Sequence, residues 1–151
     1  MTAGAELDPT AVEVGNFLPH PPEAVWRMLS EAELLERWLL PSNGFDTRVG
    51  AHFVFTLPPP RVGEIACEVL DCRPVEQLTI TWVDLRADQP ARWVLDWTLR
   101  GEGRGSRLLV THSGFDITDR RQKMARNAME RGWRATFAPL RAVLDSGAAD
   151  G

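Results

Sequence analysis

Residues 119–145 read DRRQKMARNAMERGWRATFAPLRAVLD. Met129, Trp133, Phe137, Leu140 and Leu144 recur every three to four positions, which places them on one face of a helix. Thr118 or Asp119 stands where a side-chain oxygen can cap the first turn, and Gly147 where a helix can stop. At about 1.5 Å per residue the segment makes a rod roughly 40 Å long. Strands of six to ten residues span about 20–33 Å, so this rod reaches across a whole sheet. Pro139 lies inside it and predicts a bend near Thr136–Pro139, or two helical segments in line. Gly132, beside Trp133, is read either as a point of close approach between helix backbone and sheet or as a tolerated weak spot in the helix.

A rod with one apolar face needs a dry surface to cover, and the preceding residues supply it. Trp93, Leu95, Trp97 and Leu99 alternate with Val94, Asp96, Thr98 and Arg100. Leu78, Ile80 and Trp82 give a matching inner face, as do Ser106, Leu108, Val110 and His112. Ala51, Phe53, Phe55 and Leu57 alternate with His52, Val54 and Thr56. Predicted strands also cover Val62–Cys72, and the acids Glu64, Glu68 and Asp96 fall on the wet side by parity. The breaks carry turn residues: Pro58-Pro59-Pro60, Arg73-Pro74, Asp88-Gln89-Pro90 and Gly101–Gly105. Short links favour antiparallel neighbours. The fold class is therefore α+β, a curved antiparallel sheet crossed by a C-terminal helix.

Upstream, Val12–Leu18 reads as a first strand, stopped by His20-Pro21-Pro22. A short helix is predicted from about Pro22 to Leu29, since proline is tolerated in a first turn. Ser30-Glu31-Ala32-Glu33 matches a capping box and predicts a break before a second short helix ending near Leu39. The layout is a single domain over residues 11–147, with a flexible leader at 1–10 and a flexible tail at 148–151.

Composition narrows function. With 44% hydrophobic residues the chain can build a full core without metal or disulfide support. Cys67 and Cys72 are expected to be reduced thiols on opposite faces of one strand. The opening MTAGAELDPTA lacks the basic and apolar segments of a signal peptide, so a cytoplasmic location is expected. No apolar run is long enough to span a membrane. A net charge of −4 argues against nucleic acid as a partner. The final helix nevertheless carries seven basic and three acidic residues, which reads either as a solvated face or as a contact for an anion or a protein. No phosphate loop, dinucleotide fingerprint or nucleophile elbow is present, and His20, His52 and His112 lack metal-ligand spacing. No cofactor and no metal are expected.

The order of elements and several short motifs resemble the START-like superfamily, also called SRPBCC or helix-grip proteins. The motifs are Pro22-Glu23-Ala24-Val25-Trp26, Glu36-Arg37-Trp38, Val49-Gly50-Ala51-His52-Phe53 and Thr79-Ile80-Thr81-Trp82. They continue with Leu109-Val110-Thr111-His112-Ser113-Gly114-Phe115 and Gly132-Trp133. Within the superfamily the chain is most similar to the group related to the C-terminal domain of the heat-shock-protein-90 ATPase activator. The resemblance covers residues 12 to 145 and implies a six- or seven-stranded sheet gripping the helix, with a cavity between them. Members include lipid and polyketide binders, toxin-resistance proteins, cyclase-like enzymes and the chaperone-activator domain. The eukaryotic activator also has a separate chaperone-contacting domain, and a chaperone-activating role is not expected of these 151 residues.

The expected function is binding of a small apolar or amphipathic molecule in that cavity, without catalysis. Trp38, Phe53, Phe55, Trp82, Trp97, His112, Met129, Trp133 and Phe137 are the candidate ligand-binding residues. Several large rings in one interior are hard to pack without gaps, so they either line a pocket or simply fill the space. Two other readings remain open at this point. One is a cyclase-type enzyme using His112 or Asp84 for proton transfer. The other is a chaperone-associated or protein-interaction module whose exposed patch includes Arg120, Arg121 and Arg126. A homodimer is compatible with each.

Overall fold

The computed structural model describes residues 8–150. In chain order the elements are β1 (Ala11–Leu18), α1 (Pro22–Ser30), α2 (Ala32–Trp38), β2 (Ser42–Asn43), β3 (His52–Leu57), β4 (Gly63–Arg73), β5 (Gln77–Asp84), β6 (Arg92–Glu102), β7 (Gly105–Ser113) and α3 (Arg120–Asp145). The strands form one antiparallel sheet in the order β1-β7-β6-β5-β4-β3-β2. The chain leaves one edge after β1, crosses through α1 and α2 to the far edge, and returns strand by strand to pair β7 with β1. This is the helix-grip architecture.

Alternation decides which face is dry. Phe53, Phe55, Leu57, Leu78, Ile80, Trp82, Trp93, Leu95, Trp97, Leu99, Leu108 and Val110 are all buried. On the outer face the Asp96 carboxylate accepts from Gln77, Thr79 and Thr98, a polar network suited to a wet surface. The β6–β7 hairpin turns at Gly103, whose φ of 58° lies in the left-handed region. Gly105 then passes so close to β1 that a Cβ there would sit 2.5 Å from the Leu18 carbonyl oxygen.

The helix α3 is capped by Asp119, whose carboxylate accepts from the Arg121 N–H at 2.9 Å. It lies alongside β1 and against α1 and α2. Two clasps hold it there. Arg126 donates through Nε and Nη2 to the Ala11 carbonyl, and the His20 ring meets Asp145 at 2.7 Å. Its buried residues are Trp133, Phe137, Leu140, Val143 and Leu144; from Arg120 to Arg131 no side chain is fully buried. The grip belongs to the C-terminal half of the helix, and space remains beneath the N-terminal half.

Four local expectations are corrected. The capping box does not form: the Ser30 hydroxyl donates to the Trp26 carbonyl at 2.8 Å and completes α1, while extended Glu31 begins α2 with no side-chain cap. The two in-line segments expected around Pro139 are instead one helix. Pro139 and Ala135 lie on the exposed side, so the carbonyl that loses its partner faces water. Gly132 is not a close approach, because a Cβ there would meet nothing within 4 Å.

The fourth correction concerns the cysteines. A register shift between Val69 and Asp71 places one extra residue in β4. Parity reverses beyond it, so Cys72 stands opposite Leu78 on the same inner side as buried Cys67. Both thiols are free.

At the ends, residues 1–7 of the expected leader lie outside the described residues. Residues 148–150 form a turn in which Ala149 is buried and its carbonyl accepts from Arg27. No helix among the described residues is long and apolar enough to cross a membrane.

Candidate ligand cavity

The centre of the interior is aromatic. Trp133, brought down by α3, stands with ring centroids 5.7 Å from Trp82 on β5 and 6.1 Å from Trp97 on β6. Its Nε1–H donates to Nδ1 of His112 on β7 at 3.0 Å. With Nδ1 accepting, the neutral ring carries its proton on Nε2. Burial pushes the His112 imidazole down to about 3, so it stays neutral at physiological pH. Among the described residues His112 Nε2 has no hydrogen-bond partner, and neither do Nε1 of Trp82 and Nε1 of Trp97. Three unpaired donors at the heart of a core are unusual, because each costs the desolvation of an N–H group.

Beside this cluster lies a cavity of about 200 Å³. Trp82 and Ile65 form its floor on the sheet, and Met129, Gly132, Trp133 and Thr136 form its roof on α3. Leu39, Leu40 and Leu57 close one side. Two arginines complete the lining: Arg61, from the β3–β4 turn, and Arg86, just after β5. The absence of a side chain at Gly132 leaves the roof open there.

The candidate residues fall into three groups. Trp82, Met129 and Trp133 line the cavity directly. Trp97 and His112 stand behind Trp133 and brace it through ring contacts. Trp38, Phe53, Phe55 and Phe137 are buried away from the lining. Phe55 backs Trp82 at 5.8 Å, Phe53 backs Phe55 at 5.2 Å, and Trp38 meets Trp97 at 6.4 Å while donating to the Met28 carbonyl. Arg61, Arg86, Leu39 and Leu40 were not legible as site residues, since they lie in turns or at element ends where no periodicity marks a face; Leu57 closes the alternating run of β3 and faces inward by that parity.

A second, larger depression of about 650 Å³ lies between the β5–β6 loop and the start of α3. Charges of both signs line it, including Asp84, Asp88, Asp119, Arg86 and Arg121. Gln122 pins its wall, with Oε1 accepting from Trp93 Nε1 at 3.2 Å and from the Asp116 N–H at 2.9 Å. Arg86 borders both spaces. Its stem crosses Gly63, where a Cβ would lie 2.5 Å from the Arg86 Cγ. Its guanidinium grips Asp84, Nε to Oδ1 at 3.0 Å and Nη2 to Oδ2 at 2.7 Å.

These partners bear on proton transfer. The bonds from Arg86 hold the Asp84 carboxyl below its usual range, so it is an anion at neutral pH. His112 offers no free basic nitrogen, because Nδ1 is occupied and Nε2 is protonated. Among the described residues no group of three or more His, Cys, Asp or Glu is arranged to hold a metal. Of the three arginines read as an exposed patch, Arg126 is instead engaged with Ala11 and Glu130.

The chain is similar to several solved structures. Protein MLL2253 from Mesorhizobium loti is 32% identical, with a TM-score of 0.81, over 90% of this chain and 97% of that one. CalU16 from Micromonospora echinospora is 21% identical, with a TM-score of 0.74, over 89% of this chain and 75% of that one. DynU16, encoded in the dynemicin biosynthetic locus, is 20% identical, with a TM-score of 0.77, over 91% of this chain and 48% of that one. No curated protein matches the sequence. Residues 19–145 match the family described as Activator of Hsp90 ATPase homolog 1-like protein, and the chain belongs to that family.

Proposed function

We propose that this protein binds a small apolar or amphipathic molecule in the cavity between α3 and the sheet, and that it carries or senses the molecule rather than transforming it. The observation behind this reading is the cavity itself, walled by Trp82, Met129 and Trp133. Apolar walls supply affinity and a few polar groups supply orientation, which is the usual make-up of a small-molecule site. Size limits the ligand. An apolar cavity of about 150 Å³ accommodates benzene. A space of about 200 Å³ suits one ring or a short chain. The catalytic alternative is disfavoured by chemistry already described: His112 is neutral with its basic nitrogen occupied, and Asp84 is tied to Arg86.

Gly132 offers the test. Gly132→Leu places a side chain at the cavity roof, where the glycine has open space. Binding of a neutral probe, 3-phenylpropan-1-ol, followed through tryptophan fluorescence or calorimetry, is expected in the native protein and lost in the variant. Equal binding by both proteins would place the probe elsewhere and remove the cavity from the function.

A further inference from the structure

The charges around the cavity are one-sided. Its lining holds two cations, Arg61 and Arg86, and no acidic side chain. They are not equivalent. Arg86 is already neutralised by Asp84 at 2.7 Å. Arg61 is exposed and lies in the β3–β4 turn, where its N–H bonds the Pro58 carbonyl at 3.1 Å. Among the described residues the Arg61 guanidinium has no ion-pair partner. A cation at the mouth of an apolar cavity repels cationic ligands and leaves a neutral ligand no charge to complement it. The mouth thus presents a free donor fork, and an anionic ligand head completes it.

We infer that the ligand is a small organic acid, with a single ring or short aliphatic body and a terminal carboxylate that rests on Arg61. The inference rests on the cavity reading above and adds the charge of the occupant. A carboxylate matches the planar fork of a guanidinium, which a neutral hydroxyl does not. The turn that carries Arg61 anchors its backbone, so only the side chain has to be ordered on binding. Because the arginine is exposed, it discriminates ligands without adding a buried charge to the empty protein.

Three probes share one body and differ in the head: 3-phenylpropanoate, 3-phenylpropan-1-ol and 3-phenylpropan-1-amine. Calorimetry at pH 7 is expected to rank them in that order, the acid about tenfold tighter than the alcohol. Arg61→Gln should bring the acid down to about the alcohol's affinity while affecting the alcohol far less. Arg61→Lys should recover only part of the preference, since an ammonium keeps the charge and loses the fork. Added salt should narrow the gap between acid and alcohol. Alcohol binding as tightly as acid, or an acid preference that survives Arg61→Gln, overturns the inference while the cavity reading stands. Failure of all three probes, or acid binding retained in Gly132→Leu, overturns both.

Discussion

Trp133 donates its indole N–H to Nδ1 of His112 at 3.0 Å, joining α3 to β7 through a single buried bond. Both partners are almost fully buried, so neither finds water when the other is removed. Trp133→Phe keeps an aromatic ring and leaves the imidazole without its donor. The expected cost is about 1–3 kcal/mol, the price of a buried polar group left unpaired, plus a contribution from lost volume. Urea denaturation of Trp133→Phe, His112→Leu and the double variant measures the coupling. The two single losses should sum to more than the double loss; simple additivity would show that the bond contributes no stability of its own.

The same histidine predicts an acid dependence. Its folded value is pushed down to about 3 by burial, against about 6.5 when solvated. Below pH 6.5 the unfolded chain takes up a proton that the folded chain refuses. The stability contributed by neutral His112 is therefore complete above pH 6.5 and is lost as the pH falls toward 3. The slope is at most about 1.4 kcal/mol per pH unit. The lowered carboxyls of Asp84 and Asp145 enter only further down, below about pH 4. His112→Gln keeps an acceptor for Trp133 and cannot titrate, so its stability should be flatter than the native protein's between pH 6.5 and 4.5. An unchanged slope in that window would assign the effect to other groups.

The two thiols should react unequally. Burial pushes the Cys67 thiol up to about 12, so almost no thiolate exists at pH 8. Burial also raises the Cys72 thiol, but its side chain is only half-buried and can be reached by reagent. Iodoacetamide under native conditions is expected to label Cys72 first, with Cys67 protected until the protein unfolds. Peptide mapping that found Cys67 modified first would show β4 opening locally.

How much of this was legible follows from which residues carry a period. Trp93, Leu95, Trp97 and Leu99 alternate without interruption, and the sheet's dry face follows from them. Met129, Trp133, Phe137, Leu140 and Leu144 do the same for the helix. Residues outside a period give no such signal. The extra residue between Val69 and Asp71 reverses parity with nothing in its side-chain chemistry to mark it, which is why Cys72 was placed on the wrong side. Ser30 had the right chemistry for a cap and spent it on the preceding turn instead. Arg61 and Arg86 reach the cavity from turns, where only the folded backbone determines what a side chain meets.

Arg126 separates a structural from an interactive reading of the basic helix. Its guanidinium donates to the Ala11 carbonyl at 2.9 Å and pairs with Glu130 at 2.9 Å, and its side chain is 18% exposed. Arg126→Ala should cost about 1–2 kcal/mol. It should also raise hydrogen exchange at the start of β1, where the clasp holds the strand against α3. Arg120→Ala, on an exposed neighbour, should change stability by less than about 0.5 kcal/mol. If Arg126→Ala were as silent as Arg120→Ala, the clasp would have no role in holding the helix.

Gly132→Leu is expected to remove binding and raise stability in the same molecule. A glycine inside a helix costs roughly 1 kcal/mol relative to a good helix former, because the unfolded chain has more freedom to lose. At position 132 a Cβ meets nothing within 4 Å, so no steric penalty offsets that gain. The added side chain also contacts apolar lining that is otherwise open. Thermal unfolding should therefore shift upward by several degrees, for about 1 kcal/mol in a domain of this size. A protein whose only task was to fold would gain from this change. A glycine at the roof of the cavity fits the proposed ligand-binding role, at the expense of helix stability. A drop in melting temperature would instead show that the roof is closed to side chains, and would place the binding site elsewhere in the fold.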